Sequence, residues 1–393
     1  MEFDAIIVGA GLTGSALAVA LRSTDLKLAL VDGRAFSTAC PDPRAYAISP
    51  ANKRFFSRIG IWRHLKHHHA CPIHRMCIMG DAGGELEFSA DDEGIEALAW
   101  MVEAGALHEE LSATLDRQHN VSLYRPAVPT SMSVSRTHAE LVLDDGSRLR
   151  GRLVIGADGA NSWVRKECGI ASQDIPYGEI GIVGTFRAER PHRHTAYQWF
   201  LGSGVLAWLP LSGDRISIVW AIPEDQGREL MAMDSAQIAA RVAAAGEHAL
   251  GEFALEGAIS SFPLRMLRVD RMTASRVALL GDAGHVLHPL SGHGVNLGFR
   301  DADELARRLA LLGAGHDPGD PAVLRAYARA RAEETFALQT GTHLMRTLFA
   351  ARAPALAPIR NLGMNLTGRL PVLKSMLVRY ATSGRLFHGE SND

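Results

Sequence analysis

Six residues near the amino terminus constrain this chain more than any other feature: Gly9-Ala10-Gly11-Leu12-Thr13-Gly14. They follow an apolar run at residues 5–8 and open a helical pattern that continues to Leu21. A second apolar run, at residues 28–31, ends on Asp32. Strand, glycine turn, helix and strand make the β-α-β opening of a dinucleotide-binding fold. Each glycine has its own task there. Gly9 permits the tight turn, Gly11 lets the backbone approach a diphosphate, and Gly14 lets helix and strand pack closely. Backbone N–H groups at the helix start, around Leu12 and Thr13, can bind phosphate oxygens. Asp32 can accept both hydroxyls of an adenosine ribose, with Gly33 and Arg34 beside it.

Two further strand ends carry the same kind of mark. Gly156-Ala157-Asp158-Gly159-Ala160-Asn161-Ser162 closes the apolar run at 153–156. Alone, an Asp-Gly pair there would be no more than a turn. Gly281-Asp282-Ala283-Gly284-His285 follows the run at 277–280, and His288-Pro289 and Gly292-His293-Gly294-Val295-Asn296 come after it. Asp282 can bond a ribityl hydroxyl. The stretch from Pro289 through Gly292, Gly294, Val295 and Asn296 leads into a helix whose N-terminus can face an anionic flavin ring edge. Three such strand ends in this order point to FAD far more specifically than any one of them.

With 393 residues, 47% of them apolar, the chain can bury two cores. The reading is α/β: a Rossmann-like FAD-binding domain, an interleaved antiparallel-sheet substrate domain and a helical C-terminus. The expected boundaries are 1–70, 99–175 and 271–330 for the discontinuous FAD-binding domain, 71–98 and 176–270 for the substrate domain, and 331–393 for the C-terminal helices. Strand-like runs at 180–187, 196–201, 205–209 and 216–222 are close enough to form an antiparallel sheet. Residues 131–135 and 140–143 alternate ahead of an Asp145-Gly146 turn signal, and residues 50–64 read as one helix. In the sheet, alternation puts Tyr197 and Trp199 on one face; for these and for Phe200, Trp208 and Trp220, core packing is the leading role.

A formal net charge of −2 leaves nothing to attract nucleic acid. Four cysteines without zinc spacing, no signal-peptide pattern and no apolar window long enough to span a bilayer predict a cytoplasmic protein with reduced thiols. Residues 341–388 contain seven Lys and Arg among apolar residues and no acid, interrupted by Pro354, Pro358 and Pro371. Such a stretch can lie on the inner face of an anionic membrane or dock a biosynthetic partner. His64, His67, His68, His69 and His74 resemble a metal cluster in composition only, and no metal is expected.

The motifs resemble those of the p-hydroxybenzoate hydroxylase superfamily of flavin monooxygenases. The run Gly281 to Pro289, with Gly294-Val295-Asn296-Leu297-Gly298 and Asp42-Pro43-Arg44-Ala45-Tyr46-Ala47-Ile48-Ser49, resembles its ubiquinone-biosynthesis hydroxylase branch. The resemblance implies that Arg44 contacts the flavin, that Val128 touches the adenine side through its backbone, that Asp158 serves both flavin and nicotinamide, and that Asp282 holds the ribityl chain. Asp32 stands where the family usually has Glu, and His293 where it usually has Gln.

That resemblance also implies the chemistry. A flavin C4a-hydroperoxide delivers oxygen to a phenol, and no protein nucleophile is needed. NAD(P)H is the expected transient reductant, since only one dinucleotide fingerprint is present. A base helps by making the phenolate, and His285, His288 and His293 are the candidates, His288 and His293 foremost. Against this stands the simpler role of orienting the flavin loop. The expected substrate is a hydrophobic aromatic compound, a polyprenylated phenol or quinol of ubiquinone biosynthesis. The alternatives are a small soluble aromatic substrate, or a flavin-bound scaffold without catalysis.

Overall fold

The computed structural model describes residues 2–34, 42–65, 69–202, 204–313, 315–350, 361, 364–366 and 378. The first of its three sheets is built on five parallel strands, in the order Val277–Leu279, Arg148–Gly156, Glu2–Val8, Leu28–Val31 and Val121–Tyr124. The apolar runs form these strands because both faces are covered: every residue of Leu28–Val31 and Val277–Leu279 is buried. Helix Leu12–Ala20 packs against Gly294–Ala310 and Ala104–Asp116. Register then aligns the strand ends. Tyr124 pairs with Val31, Val31 with Val8, Val8 with Gly156 and Gly156 with Leu279. All three glycine motifs therefore leave the sheet side by side at the carboxyl ends of its strands, where open α/β sheets bind ligands.

The second sheet runs His285–Val286, Phe253–Val269, Ser172–Ala188, Arg215–Pro223, Gly204–Pro210, Thr195–Leu201, Arg75–Met79 and Glu85–Ser89. Neighbours are antiparallel except Thr195–Leu201 beside Arg75–Met79. Its first strand lies six residues beyond Leu279, so the third glycine motif is the bridge between the sheets. A third, three-stranded sheet joins Ala45–Ile48, Ala99–Glu103 and Ala70–Ile73.

The four expected strands of the antiparallel sheet are present, and Pro129–Val134 and Ala139–Leu143 pair antiparallel; the Asp145-Gly146 signal turns the next hairpin, from Ala139–Leu143 into Arg148–Gly156, with Gly146 at φ +82°. One expectation needs correction, and one strand carried no expectation. The helix expected over residues 50–64 is Pro50–Arg58, because Gly60 at φ +76° ends it, and a separate 3-10 turn follows at Trp62–His64. The seventeen-residue strand Phe253–Val269 had no clear signal, since Ser260, Ser261 and Pro263 interrupt its apolar pattern. Past the helix Pro321–Ala350, most of the expected C-terminal helical region, Pro354, Pro358 and Pro371 among it, lies outside the described residues.

Candidate flavin and substrate site

The first loop shows why its glycines are glycines. Gly9 has φ +108°, and a Cβ there would lie 2.3 Å from the Ala157 carbonyl oxygen of the second motif. A Cβ on Gly14 would lie 2.0 Å from the Gly9 carbonyl oxygen, whereas one on Gly11 would meet open space. The helix that follows has no side-chain cap and no acid in its first turn. Helices Pro50–Arg58, Trp163–Glu167 and Ser235–Ala245 are by contrast capped by Ser49, Ser162 and Asp234. Gly294–Ala310 also starts without a side-chain cap or acid. Two uncapped helix starts with glycine at the opening suit the diphosphate and the ring edge of FAD.

Asp32 accepts from the backbone N–H of Ala10 at 2.7 Å and of Arg34 at 2.8 Å, so one carboxylate shapes both the glycine loop and the segment after the second strand. Gly33 lies beneath Val128, whose Cγ2 would be 3.0 Å from an added Cβ. The backbone N–H of Val128 donates to the Asp144 carboxylate and its carbonyl accepts from the Asp144 N–H. A backbone contact from Val128 to adenine therefore has only the carbonyl's second lone pair to use. Arg44 forks onto Asp42 at 2.8 and 2.5 Å, and that carboxylate holds the guanidinium firmly charged. The protein packed around Asp42 favours its neutral acid, but Arg44 outweighs this and the carboxyl sits below its usual range.

Asp158 turns inward. It accepts from the Ser162 hydroxyl at 2.6 Å and the Val164 N–H at 3.0 Å, fixing its own loop. Sequence reasoning missed Arg165. Buried, it donates to the carbonyls of Ala283 at 2.8 Å and Ala160 at 2.9 Å, tying the second motif to the third. Asp282 stands open at the third motif. The dense protein around it pushes its carboxyl upward despite that opening, and the nearby His285 and Arg44 restrain the shift. Gly281, at φ +55°, donates its N–H to Asp301 at 3.0 Å. Asp301 is fully buried and also binds His285 Nε2 at 2.6 Å and Arg331 Nε at 2.7 Å. Burial alone would raise its carboxyl; His285 and Arg331 overcome this and hold it low.

The three histidines differ. His285 is sealed beneath the loop, with Nε2 on Asp301 and, among the described residues, no partner for its buried Nδ1. His288 is also buried: Nε2 donates to Glu179 at 3.1 Å and Nδ1 accepts the Leu290 N–H at 3.3 Å. Neither ring has a free nitrogen facing the loop surface, so a base role falls away on geometry and an orienting role is left. His293 sits half-buried at the start of Gly294–Ala310. Asn296 is saturated, bonded to Ala47, Gly292, Ser49 and Asn52, so it reaches a cofactor only through its backbone. The histidines near His64 diverge: His64 meets Arg63, His69 faces Glu103 at 3.5 Å and His74 lies against His194, while His67 and His68 are outside the described residues.

Glu179 joins three elements. It takes His288 from the flavin loop and Arg346 from the long helix at 2.7 Å, while Arg346 lies over the ring of Tyr177 on the sheet. Next to this joint, Phe200, Leu86, Phe349 and Met364 form an apolar cluster that reaches Leu290 of the flavin loop. Phe200 and Phe349 stack with centroids 3.8 Å apart. Trp199, Trp208 and Trp220 pack on the opposite face of the sheet, as core residues.

Comparison with known proteins agrees with this geometry. Residues 2–340 match the family described as FAD binding domain. The ubiquinone hydroxylase UbiL of Rhodospirillum rubrum is 34% identical over 384 residues, covering 96% of this chain and 89% of that protein. The 3-demethoxyubiquinol 3-hydroxylase of Escherichia coli is 32% identical over 383 residues, covering 95% and 97%. Among solved structures, Pseudomonas aeruginosa PqsL in complex with 2-aminobenzoylacetate superposes with a TM-score of 0.78 at 25% identity, over 92% of this chain and 100% of that one. The p-nitrophenol 4-monooxygenase PnpA of Pseudomonas putida shares the fold, with a TM-score of 0.80 at 17% identity over 98% and 99%.

Proposed function

Because the chain belongs to the FAD-binding-domain family and is an FAD-dependent aromatic-ring monooxygenase, we propose that it hydroxylates a polyprenylated phenol or quinol in ubiquinone biosynthesis. The observation that carries this reading is the apolar cluster of Phe200, Phe349, Leu86 and Met364 meeting Leu290 at the flavin loop. A small aromatic acid would call for a cation there, and Arg346, on the helix that supplies Phe349, is already paired with Glu179.

Bound FAD supplies the oxygen chemistry: one atom of O₂ enters a ring C–H bond, the other leaves as water, and NAD(P)H provides two electrons. The chain's own residues do the rest. The uncapped start of Leu12–Ala20, with Gly9, Gly11, Leu12, Thr13 and Gly14, binds the diphosphate. Asp32, Gly33, Arg34 and Val128 would hold the adenosine, and Arg44, with the loop that Asp158 fixes from within, would serve the flavin and the nicotinamide. Asp282 holds the ribityl chain. Pro289, Gly292, Gly294, Val295 and Asn296 present backbone to the ring edge. His293 takes the proton of the substrate hydroxyl, and His288 holds the Pro289–Ser291 turn in place through Glu179. Leu290 and Phe349 keep water from the reacting atoms.

No helix among the described residues is long and apolar enough to cross a membrane. Leu344, Met345, Leu348 and Leu366 are nevertheless exposed on or beyond the long helix. They offer a peripheral contact from the cytoplasmic side, through which a membrane-resident substrate enters. The test is a strain lacking this chain, with its quinone intermediates identified by mass. A prenylated ring one oxygen short of the next intermediate supports the reading. Unchanged quinone, with 4-hydroxybenzoate stimulating stoichiometric NADPH oxidation by the purified protein, sinks it.

A further inference from the structure

The antiparallel sheet presents one nearly buried side chain that its own fold does not explain. Gln198 lies in Thr195–Leu201 and is only 6% exposed. Its amide makes no hydrogen bond among the described residues. The amide atoms themselves are not sealed from solvent, so the amide faces the open side of the sheet, where an incoming polar group can meet it. Alternation puts Gln198 on the same face as Phe200, two residues on, and opposite Tyr197 and Trp199. Phe200 packs in the cluster that reaches Leu290, so this face looks toward the flavin loop.

Register fixes what surrounds it. Gln198 pairs with Ile78 on one side and Ala207 on the other; Ala207 pairs with Val219, and Val219 with Val183. The row is apolar except for Gln198. Ile78, Ala207 and Val219 are half-buried, whereas Leu206 and Trp208, which point the other way from the strand of Ala207, are fully buried. The row is therefore an open floor with small residues beside a single amide. An amide both donates and accepts, so it can take a phenol O–H, a phenolate or a quinone carbonyl.

We propose that Gln198 is the residue that recognises the ring oxygen of the substrate, setting an aromatic head group on the floor of Ile78, Ala207 and Val219 with its aliphatic tail toward the Phe200–Phe349 stack. This deepens, and rests on, the reading of a prenylated aromatic substrate. It explains why a polar side chain sits on this face: its partner arrives with the ligand.

The test titrates FAD-loaded protein with geranylphenol and with geranylbenzene, which lacks the oxygen, following the flavin absorbance difference spectrum. In Gln198→Leu the dissociation constant for geranylphenol should rise about tenfold or more, while that for geranylbenzene stays within about twofold. Removal of the unpaired amide should also leave Tm unchanged or raised. Equal weakening for both ligands, or none for geranylphenol, overturns the proposal. If only unsubstituted phenol perturbs the wild-type flavin, the prenylated-substrate reading falls. Gln198 is then judged on phenol, where a tenfold loss keeps it and equal affinity removes it. If no phenol perturbs the wild-type spectrum, both readings fail.

Discussion

The two faces of the antiparallel sheet come from the same strands and have opposite characters. One carries Trp199, Trp208, Trp220, Leu206 and Ile218, closed over by the helices Glu224–Met231 and Ser235–Ala245. The other carries Gln198 and Phe200, which are buried, and Val205, Ala207 and Val219, which are only half-buried, and it turns to the flavin loop. A period of two lets one strand serve as foundation and as binding floor, with the assignment switching at every residue. Stability should therefore depend on one set of positions and ligand affinity on their immediate neighbours.

The largest effect expected from this comparison is on the closed face. Trp208 is fully buried, meets Trp199 edge-on at 4.5 Å and Phe253 at 4.7 Å, and presses so close to Gly246 that a Cβ there would lie 2.1 Å from its ring. Trp208→Ala should lose about 3–5 kcal/mol in denaturant unfolding. The fraction that stays folded should bind FAD with unchanged affinity, because the three glycine motifs contribute no residue to this core among the described residues. Loss of FAD affinity at full foldedness would mean that the two faces are not independent.

A smaller, pH-dependent effect belongs to the joint between sheet, flavin loop and long helix. Burial pushes the Glu179 carboxyl up, but His288 and Arg346 more than offset it and hold the group below its ordinary value of 4.5. A carboxylate depressed on folding contributes stability above its unfolded value and loses it as pH falls through the folded one. Tyr177 and His343 flank the joint, bonded to each other at 3.1 Å. The wild type should therefore exceed Glu179→Gln in Tm near neutrality, and the gap should close as pH drops below about 4.5. A gap that persists at low pH would assign the loss to shape instead of charge.

How much of this was legible in the sequence depends on how local each cause is. The glycine motifs were plain, because Gly9, Gly14 and Gly281 answer to constraints within a strand-turn-helix unit. The stacking of Tyr197 on Trp199, centroids 5.7 Å apart, follows from alternation alone. Arg165 on Ala283, His288 on Glu179 and Arg346 on Glu179 span more than a hundred residues each, and no spacing in the chain announces them. The roles of the histidines were open for the same reason. His285 and His288 are adjacent in motif, but only the partners Asp301 and Glu179, supplied from elsewhere, show both rings to be held in place. Which face of the sheet is the floor was likewise hidden, since it depends on where the two covering helices and Leu290 come to rest.

The finest discrimination between the faces comes from two neighbours, Ala207 and Trp208. Ala207 is half-buried on the open floor, between Gln198 and Val219. Enlarging a residue in a packed core costs about 1–3 kcal/mol, because close-packed neighbours must move. On a floor open to the ligand cleft the added atoms of Ala207→Leu meet no such wall, so unfolding free energy should change by less than about 0.5 kcal/mol. The same atoms occupy the space where a ring beside Gln198 would lie. Affinity for geranylphenol, read from the flavin difference spectrum, should fall while Tm and FAD affinity hold. A Tm loss comparable to that of Trp208→Ala would show that the floor is closed, and the ring would then need another place to bind.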